Sequence, residues 1–246
     1  MTSTAVFVLM AALMPAVILL IVILIRDKEH PEPPQQLAKG VFYGVLSVFA
    51  SMVLSVPALA SGLVPENYTS AMGAVFHAFG AAAIPEETAK LFFLWLLLRR
   101  NPYFDEYFDG IVYAVCIGLG FAGLENILYV FGAGEAWAMT AVMRALLAVP
   151  AHFFFAVLMG YYYSLVHFGH HSRRNVVLMW LAPVVAHGIY DGIIMSIDVA
   201  PHVQGIFAIA LLLFCNEMRK LCTRHIRNLR AADDDHYDKY YTNLHY

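Results

Sequence analysis

Seven long apolar stretches constrain this chain more than any other feature of its sequence. Each is long enough, or nearly so, to cross the roughly 30 Å hydrocarbon layer of a bilayer as a helix. Only 13% of the 246 residues are charged, whereas soluble domains have about 25%. The sequence therefore predicts an all-α, polytopic bundle of about seven to eight membrane-spanning helices. The stretches lie near Thr4–Ile25, Gly40–Gly62, Ala71–Leu98, Phe108–Phe131, Ala136–Phe168, Val176–Ile197 and His202–Phe214.

The distribution of basic residues predicts how the chain is oriented. Thirteen of the 15 lysines and arginines follow the first, third, fifth or seventh stretch, outside the apolar runs themselves. Because cytoplasmic loops are enriched in Lys and Arg, this pattern predicts an outside N-terminus and a cytoplasmic C-terminus. The first stretch has no basic residue before it, which is the wrong charge order for a cleaved signal peptide. We expect it to stay as a helix.

We expect one integral-membrane domain over residues 1–230, with a catalytic core over 71–198. An acidic, tyrosine-rich cytoplasmic tail over 231–246 should be loosely ordered. Residues 216–230 alternate basic and apolar side chains, which favours a helix lying along the anionic inner leaflet. The three cysteines fit neither a disulfide framework nor a zinc knuckle, so we expect unpaired thiols.

Charged residues interrupt the third apolar stretch. The run Ile84-Pro-Glu-Glu-Thr-Ala-Lys90 places Glu86, Glu87 and Lys90 among apolar neighbours. Helical spacing puts Lys90 within reach of both carboxylates. A charge at the bilayer centre costs about 3 kcal/mol or more, so such residues usually face a partner or a cavity. A structural ion pair that joins two helices would also account for them.

Polar residues of three further stretches should reach a similar depth. With about 1.5 Å of rise per helical residue, most of them fall near the middle of their spans and Glu125 falls in the outer half. His187 and Asp191 are four apart and share a helix face, so the carboxylate can orient the imidazole. Each histidine alone could be structural. Together, however, the polar residues predict one polar site, because burying several of them separately in the membrane would cost free energy without any compensating contact. The predicted catalytic residues are Glu86, Glu87, Glu125, His152, His187 and Asp191, supported by Lys90 and Asn126.

These residue types suit hydrolysis of an amide bond by an activated water molecule. An ionised Glu beside a lysine can act as the general base, and histidines can hold the water or donate to an oxyanion. No Ser or Cys stands beside a histidine in a nucleophile motif, and the zinc-protease pattern H-E-x-x-H is absent. Zinc stays open as a cofactor, because four of the residues are competent ligands. These are Glu125, His152, His187 and Asp191.

The motifs resemble, in order and in helical placement, those of PrsW-type intramembrane proteases. That family belongs to the wider group of CAAX prenyl endopeptidases and Abi proteins. The resemblance implies a membrane-embedded endopeptidase of glutamic or metal-assisted type in a bacterial cell membrane. It also implies a membrane-anchored protein substrate, such as an anti-sigma factor cleaved on the outer side. The matching motifs are Glu86-Glu-Thr-Ala-Lys90, Phe121-x-x-x-Glu125, His152 and His187-x-x-x-Asp191.

The resemblance also assigns roles to the site residues. Glu86 would activate the water, with Glu87 and Lys90 supporting it. His187 would assist at the oxyanion, and Asp191 would orient His187. The basic residue lies one position earlier than in the E-E-x-x-x-R motif of CAAX enzymes, and their F-x-x-x-H motif ends here in a glutamate. These departures favour the PrsW branch, and His152 is then predicted to hold the water.

Three other functions fit parts of the same pattern. A non-catalytic scaffold subunit, of the type of Aph-1 in gamma-secretase, also carries intramembrane histidines. A CAAX-type prenyl-protein endopeptidase shares the paired glutamates. A proton-coupled transporter would use buried Glu, His and Asp, although the chain shows no internal repeat of the kind common in transporters. The expected partners are a membrane-anchored protein and the lipid bilayer, with no nucleic acid.

Overall fold

The computed structural model describes residues 3–169 and 172–244, with side chains described from residue 4 to residue 235. Over these residues the fold is entirely helical and forms seven continuous helical segments. This confirms the predicted all-α bundle. The α-helices are α1 (Ser3–Arg26), α2 (Pro34–Ala60), α3 (Ala71–His77), α4 (Ile84–Leu98), α5 (Asp109–Gly132), α6 (Trp137–Met143), α7 (Val149–His167), α8 (Arg173–Val199) and α9 (Gln204–Leu244).

Among the described residues, five helical segments are long and apolar enough to cross a membrane. The predicted third span is also helical from α3 to α4, but it contains three charged residues and is not among the five. The predicted seventh span begins in the 3₁₀ turn Pro201–Val203 and continues into α9, and it is likewise not among them. The orientation of the chain in the membrane stays a prediction. The five are Thr4–Arg26, Pro34–Ala60, Asp109–Gly132, Gly134–His167 and Arg173–Val199.

Helix α5 is the centre of the bundle, and glycines let α2 approach it closely. A Cβ atom on Gly44 would lie 2.1 Å from the carbonyl oxygen of Ile117 in α5. Conversely, a Cβ atom on Gly120 would lie 2.2 Å from the carbonyl oxygen of Val41 in α2. Small residues thus serve close backbone packing here, as they commonly do between membrane helices. All three cysteines are free thiols, as predicted.

Two helices contain a π turn just before a residue of the predicted site. The turn Ala78–Ala83 joins α3 to α4, and the turn Arg144–Ala148 joins α6 to α7. A proline follows each turn, Pro85 in α4 and Pro150 in α7. Because proline lacks an N–H and its ring crowds the carbonyl four residues earlier, regular α-helical bonding fails at that position. The prolines therefore account for where both π turns form.

Helix α9 corrects two predictions about the C-terminal part of the chain. Its residues Met218, Ile226 and Leu229 are buried in the core of the bundle rather than facing lipid headgroups. The Asp233 carboxylate accepts hydrogen bonds from two backbone N–H groups of the α4–α5 loop, at 2.6 and 2.9 Å. The helix continues to Leu244, so the tail is helical where a loosely ordered chain was expected. Residues 245 and 246 of that tail lie outside the described residues.

Candidate active site

The two adjacent glutamates at the start of α4 have different surroundings. Glu87 is fully buried, and its Oε1 lies 2.8 Å from Lys90 Nζ and 2.8 Å from His187 Nδ1. Glu86 points toward a cavity, and its Oε2 lies 3.3 Å from Lys90 Nζ. One carboxylate therefore anchors neighbouring side chains, while the other is presented to the cavity.

Lys90 ties α4 to the helices that carry the rest of the site. Its Nζ lies 3.2 Å from His152 Nδ1 and 3.8 Å from the centre of the Phe121 ring. Because the ammonium group can only donate, Nδ1 of His152 accepts and the ring proton resides on Nε2. That nitrogen lies 2.9 Å from Glu125 Oε2 and donates to it. Both ring nitrogens of His152 are thus engaged by protein groups.

Glu125 has a second partner that the sequence analysis did not assign to the site. Arg144 Nη2 lies 2.6 Å from Glu125 Oε2, and Arg144 Nε lies 2.5 Å from Asn126 Oδ1. The Asn126 amide in turn donates to the carbonyl oxygen of Ala12 in α1 at 2.7 Å. The signal was available, because an arginine inside an apolar stretch is costly unless it has a partner.

His187 is held in one orientation from three sides. Its Nε2 lies 3.1 Å from Asp191 Oδ2 and 3.9 Å from Glu86 Oε2. The ring stacks on Phe155 at a centroid distance of 4.8 Å and an interplanar angle of 17°. Because Nδ1 contacts Glu87, the Nε2 side of the ring is the side that lies near Glu86 and Asp191. The contact with Asp191 is the one that their spacing predicts.

These groups border a cavity of about 340 Å³ between α4, α5, α7, α8 and α9. One part of its wall is polar, and the rest is apolar, formed by residues such as Leu147, Ile194 and Leu211. Tyr190 also lines it, and the buried Tyr190 hydroxyl has no hydrogen-bond partner among the described residues. The cavity therefore combines an acidic polar end with apolar walls. The polar side chains at its border are Glu86, Glu125, Arg144, His152, His187 and Asp191.

The structure brings all eight predicted residues into one contact network, together with Arg144. One donor atom from each of four residues lies within 4.8 Å of the others, close enough to share a metal ion. The group contains two of the four ligands proposed from the sequence, His152 and His187, but pairs them with Glu86 and Glu87. Glu125 and Asp191 instead contact the two histidines from outside this group.

Comparison with known proteins identifies the family. A family model described as PrsW family intramembrane metalloprotease matches residues 32–215. The chain belongs to this family. It is 35% identical over 202 residues to Protease PrsW of Geobacillus kaustophilus, covering 82% of this chain and 85% of that protein. It is 33% identical over 193 residues to Protease PrsW of Bacillus subtilis, covering 78% and 84%. No solved structure matches the chain significantly.

Membership of the PrsW family confirms the resemblance drawn from the motifs. The chain is an intramembrane protease, and the family is described as one of metalloproteases. The scaffold, transporter and prenyl-endopeptidase interpretations gain no support from these relatives. The matched range begins in the α1–α2 loop and ends in α9, so it includes every residue of the contact network except the Ala12 carbonyl.

Proposed function

We propose that this PrsW-family protease hydrolyses a peptide bond with a water molecule activated by Glu86. The observation that carries the proposal is the contrast between the two adjacent carboxylates. Glu87 is enclosed by Lys90 and His187, whereas Glu86 borders the cavity in which a peptide could lie. A general base must be within hydrogen-bonding reach of the water that it deprotonates, so Glu86 is the better candidate.

The chemistry follows from that placement. Glu86 takes a proton from water as the water oxygen bonds to the scissile carbonyl carbon, and negative charge develops on the carbonyl oxygen. His187, protonated on both ring nitrogens, donates from Nδ1 to Glu87 and from Nε2 to this oxyanion, and Asp191 helps to hold the ring in place. When the C–N bond breaks, Glu86 returns the proton to the leaving nitrogen. The products are a carboxyl group and an amine, and the side chains regain their starting states.

We further propose that Lys90 and His152 position the reacting groups without touching substrate. Lys90 contacts both glutamates and His152, and His152 in turn donates a hydrogen bond to Glu125. Holding water was the role predicted for His152, but it would have to compete with two existing contacts. A positioning role keeps both contacts and still makes His152 necessary for full activity.

The donor atoms are of the kinds that zinc commonly takes, nitrogen of His and oxygen of Glu, and Glu86, Glu87, His152 and His187 supply them within 4.8 Å. Lys90 Nζ contacts three of these four residues, so the ammonium group would have to move aside for the ion. With both histidines neutral, the form that binds zinc, four carboxylates and two permanent cations give the network a formal charge of −2, which a divalent ion would balance. When bound there, zinc would polarise the carbonyl and make a coordinated water more acidic. The charged residues counted are Glu86, Glu87, Glu125, Asp191, Lys90 and Arg144.

The substrate class that we propose is a membrane-anchored protein. The apolar cavity walls suit a hydrophobic or membrane-proximal peptide, and the polar end suits the amide to be cut. An anti-sigma-factor-like protein of the bacterial cell membrane, cleaved near its outer face, agrees with the orientation predicted from the basic residues. The bacterial relatives support the same setting.

Purified protein in lipid nanodiscs, mixed with a panel of single-span membrane proteins, tests the proposal. Glu86→Gln removes the base with almost no change in shape, and Glu135→Gln makes the same change at an exposed site. We expect fragments from the wild type and Glu135→Gln, and none from Glu86→Gln. Equal cleavage by Glu86→Gln would show that Glu86 is not the base.

A zinc chelator separates the glutamic from the metal-assisted route in the same assay. Loss of cleavage on chelation, restored by added zinc, would assign the ion to the donor group around Glu86 and His187. Cleavage that persists after zinc has been measured as absent would establish a metal-independent, glutamate-based hydrolysis.

A further inference from the structure

A second group of carboxylates lies far from the active site. Glu32 is in the α1–α2 loop, Asp105 is in the α4–α5 loop, and Asp109 begins α5. Asp109 and the active-site Glu125 lie on the same helix, 16 residues and hence about 24 Å apart. One oxygen from each of the three acids lies within 4.8 Å of the others. None of the three is used by the proposed hydrolysis.

Asp109 is buried, and the described residues supply no hydrogen-bond donor to one of its carboxylate oxygens. The residue is only 1% exposed. Its Oδ2 accepts hydrogen bonds from the backbone N–H groups of Asp105 at 3.1 Å and Glu106 at 2.7 Å. The Asp109 side chain meets that of another acid, Glu32, and its buried Oδ1 accepts no hydrogen bond from a donor group among the described residues. A buried charged oxygen without a partner is costly, so a cation or a proton should occupy this position.

Glu32 is oriented toward the same place from the other loop. It is 6% exposed, its carboxylate accepts a hydrogen bond from the Tyr113 hydroxyl, and its backbone N–H donates to Asp27 Oδ2 at 3.4 Å. Asp105 is exposed to solvent, so the three-carboxylate group is accessible from the surface at this residue. The arrangement therefore has two buried acids, a fixed orientation for one of them, and a route by which an ion could enter.

We propose that Glu32, Asp105 and Asp109 bind a hard divalent cation, Ca²⁺ in preference to Mg²⁺. Ca²⁺ takes carboxylate oxygens at about 2.3–2.6 Å, so ligand oxygens up to about 5 Å apart can share one ion. The observed separations, all within 4.8 Å, fall in that range. Mg²⁺ requires shorter distances and stricter octahedral geometry. Water from the exposed side would complete the coordination.

The cation would join parts of the chain that are distant in sequence. Glu32 holds the loop between α1 and α2, and Asp109 holds the first turn of the central helix. A shared ion would fix both to the α4–α5 loop, to which the C-terminal part of α9 is hydrogen-bonded through Asp233. The site therefore acts as a structural clamp on the face that carries most of the basic residues.

Terbium luminescence is a direct test, because Tb³⁺ takes the same ligands as Ca²⁺ and is excited through nearby tyrosines such as Tyr113. The full chain in nanodiscs would be titrated with Tb³⁺, and Ca²⁺ and Mg²⁺ would then compete. Asp105→Asn is the main variant, since it removes an exposed ligand without touching the core, and Glu32→Gln is the second. Asp191→Asn is the matched control, because it removes a carboxylate from the active site.

We expect Asp105→Asn and Glu32→Gln each to weaken Tb³⁺ binding by at least about tenfold, the loss typical even of residues that only support metal ligands. Asp191→Asn should bind as the wild type does, and Ca²⁺ should displace Tb³⁺ at lower concentration than Mg²⁺. Ca²⁺ should also raise the unfolding temperature of the wild type but not of Asp105→Asn. Equal affinity in the wild type and Asp105→Asn, or loss in Asp191→Asn alone, would overturn the proposal. So would an unfolding temperature independent of Ca²⁺, which is the result expected if Glu32 and Asp109 share a proton.

Discussion

Replacing Lys90 with Met should destabilise the fold as well as abolish cleavage. The side chain is only 4% exposed and lies 2.8 Å from Glu87, 3.3 Å from Glu86 and 3.2 Å from His152. Met has similar length and no charge, so the change leaves two buried carboxylates without their ammonium partner. Removing one member of a buried ion pair costs about 3–5 kcal/mol. That is a large part of the roughly 5–15 kcal/mol by which proteins are stable.

The chain contains a matched control for this substitution. Lys220 and Glu217 have the same three-residue spacing and lie 2.7 Å apart, but their side chains are 52% and 69% exposed. Exposed ion pairs contribute about 0.2–1 kcal/mol. Lys220→Met should therefore change the free energy of unfolding by less than about 1 kcal/mol. Lys90 differs from Lys220 in burial and in its additional contacts with Glu86, His152 and Phe121, so the comparison measures their combined contribution.

Unfolding in mixed detergent micelles, followed by circular dichroism, would give both free energies. Adding Glu87→Gln completes a double-mutant cycle. Because Glu87→Gln removes one of the carboxylates left without a partner, the double variant should lose about 1–3 kcal/mol less than the sum of the single losses. If Lys90→Met costs no more than Lys220→Met, or if Lys90→Met and Glu87→Gln are additive, then the buried contact between Lys90 and Glu87 does not stabilise the fold.

Three further predictions concern packing, catalysis and pH. Gly44→Ala should lower the free energy of unfolding by about 1–3 kcal/mol or more, because the new methyl group meets a backbone carbonyl of α5. Gly132→Ala is the control, since it has open space around it, and thermal unfolding should show almost no change. Tyr190→Phe should leave stability nearly unchanged. If the Tyr190 hydroxyl assists His187 at the oxyanion, kcat should fall by about a hundredfold to a thousandfold, the loss typical of removing one oxyanion donor, and an unchanged kcat excludes that role. Burial lowers the pKa of His225 from 6.5 to about 4, so its contribution to stability is present above pH 6.5 and lost as the pH falls toward 4. His225→Phe keeps the stacking on Tyr161 and should remove this part of the acid sensitivity, measured as unfolding temperature from pH 7 to pH 4.5.

The position of the site could be predicted from the sequence because charge is expensive in a bilayer. Glu86, Glu125, His152 and His187 stand in four different apolar stretches, and desolvation makes isolated charged or polar groups there improbable. The contact between His187 and Asp191 followed from helical spacing alone. The different surroundings of Glu86 and Glu87 did not follow, because adjacent residues on one helix give no indication of which side faces a cavity.

Other features depend on tertiary contacts that a single sequence does not encode. The apolar face of α9 has the same pattern whether it meets lipid headgroups or protein, and the structure shows Met218 and Leu229 buried against the bundle. Arg144 was recognisable as an intramembrane charge, but its partners Glu125 and Asn126 come from a different helix. Sequence spacing predicts partners within a helix more reliably than partners between helices.

The two π turns divide the helices that contain them into mechanically separate halves. A π turn holds one residue more than an α turn, so its backbone groups are less tightly paired and it bends more readily than its flanks. Both turns come just before the proline that precedes the site, in α4 before Glu86 and in α7 before His152. An incoming peptide that displaced α3 or α6 would therefore bend the helices at these joints. Glu86 and His152 lie beyond these joints, so we expect bending there to move α3 or α6 while these two residues keep their positions relative to each other.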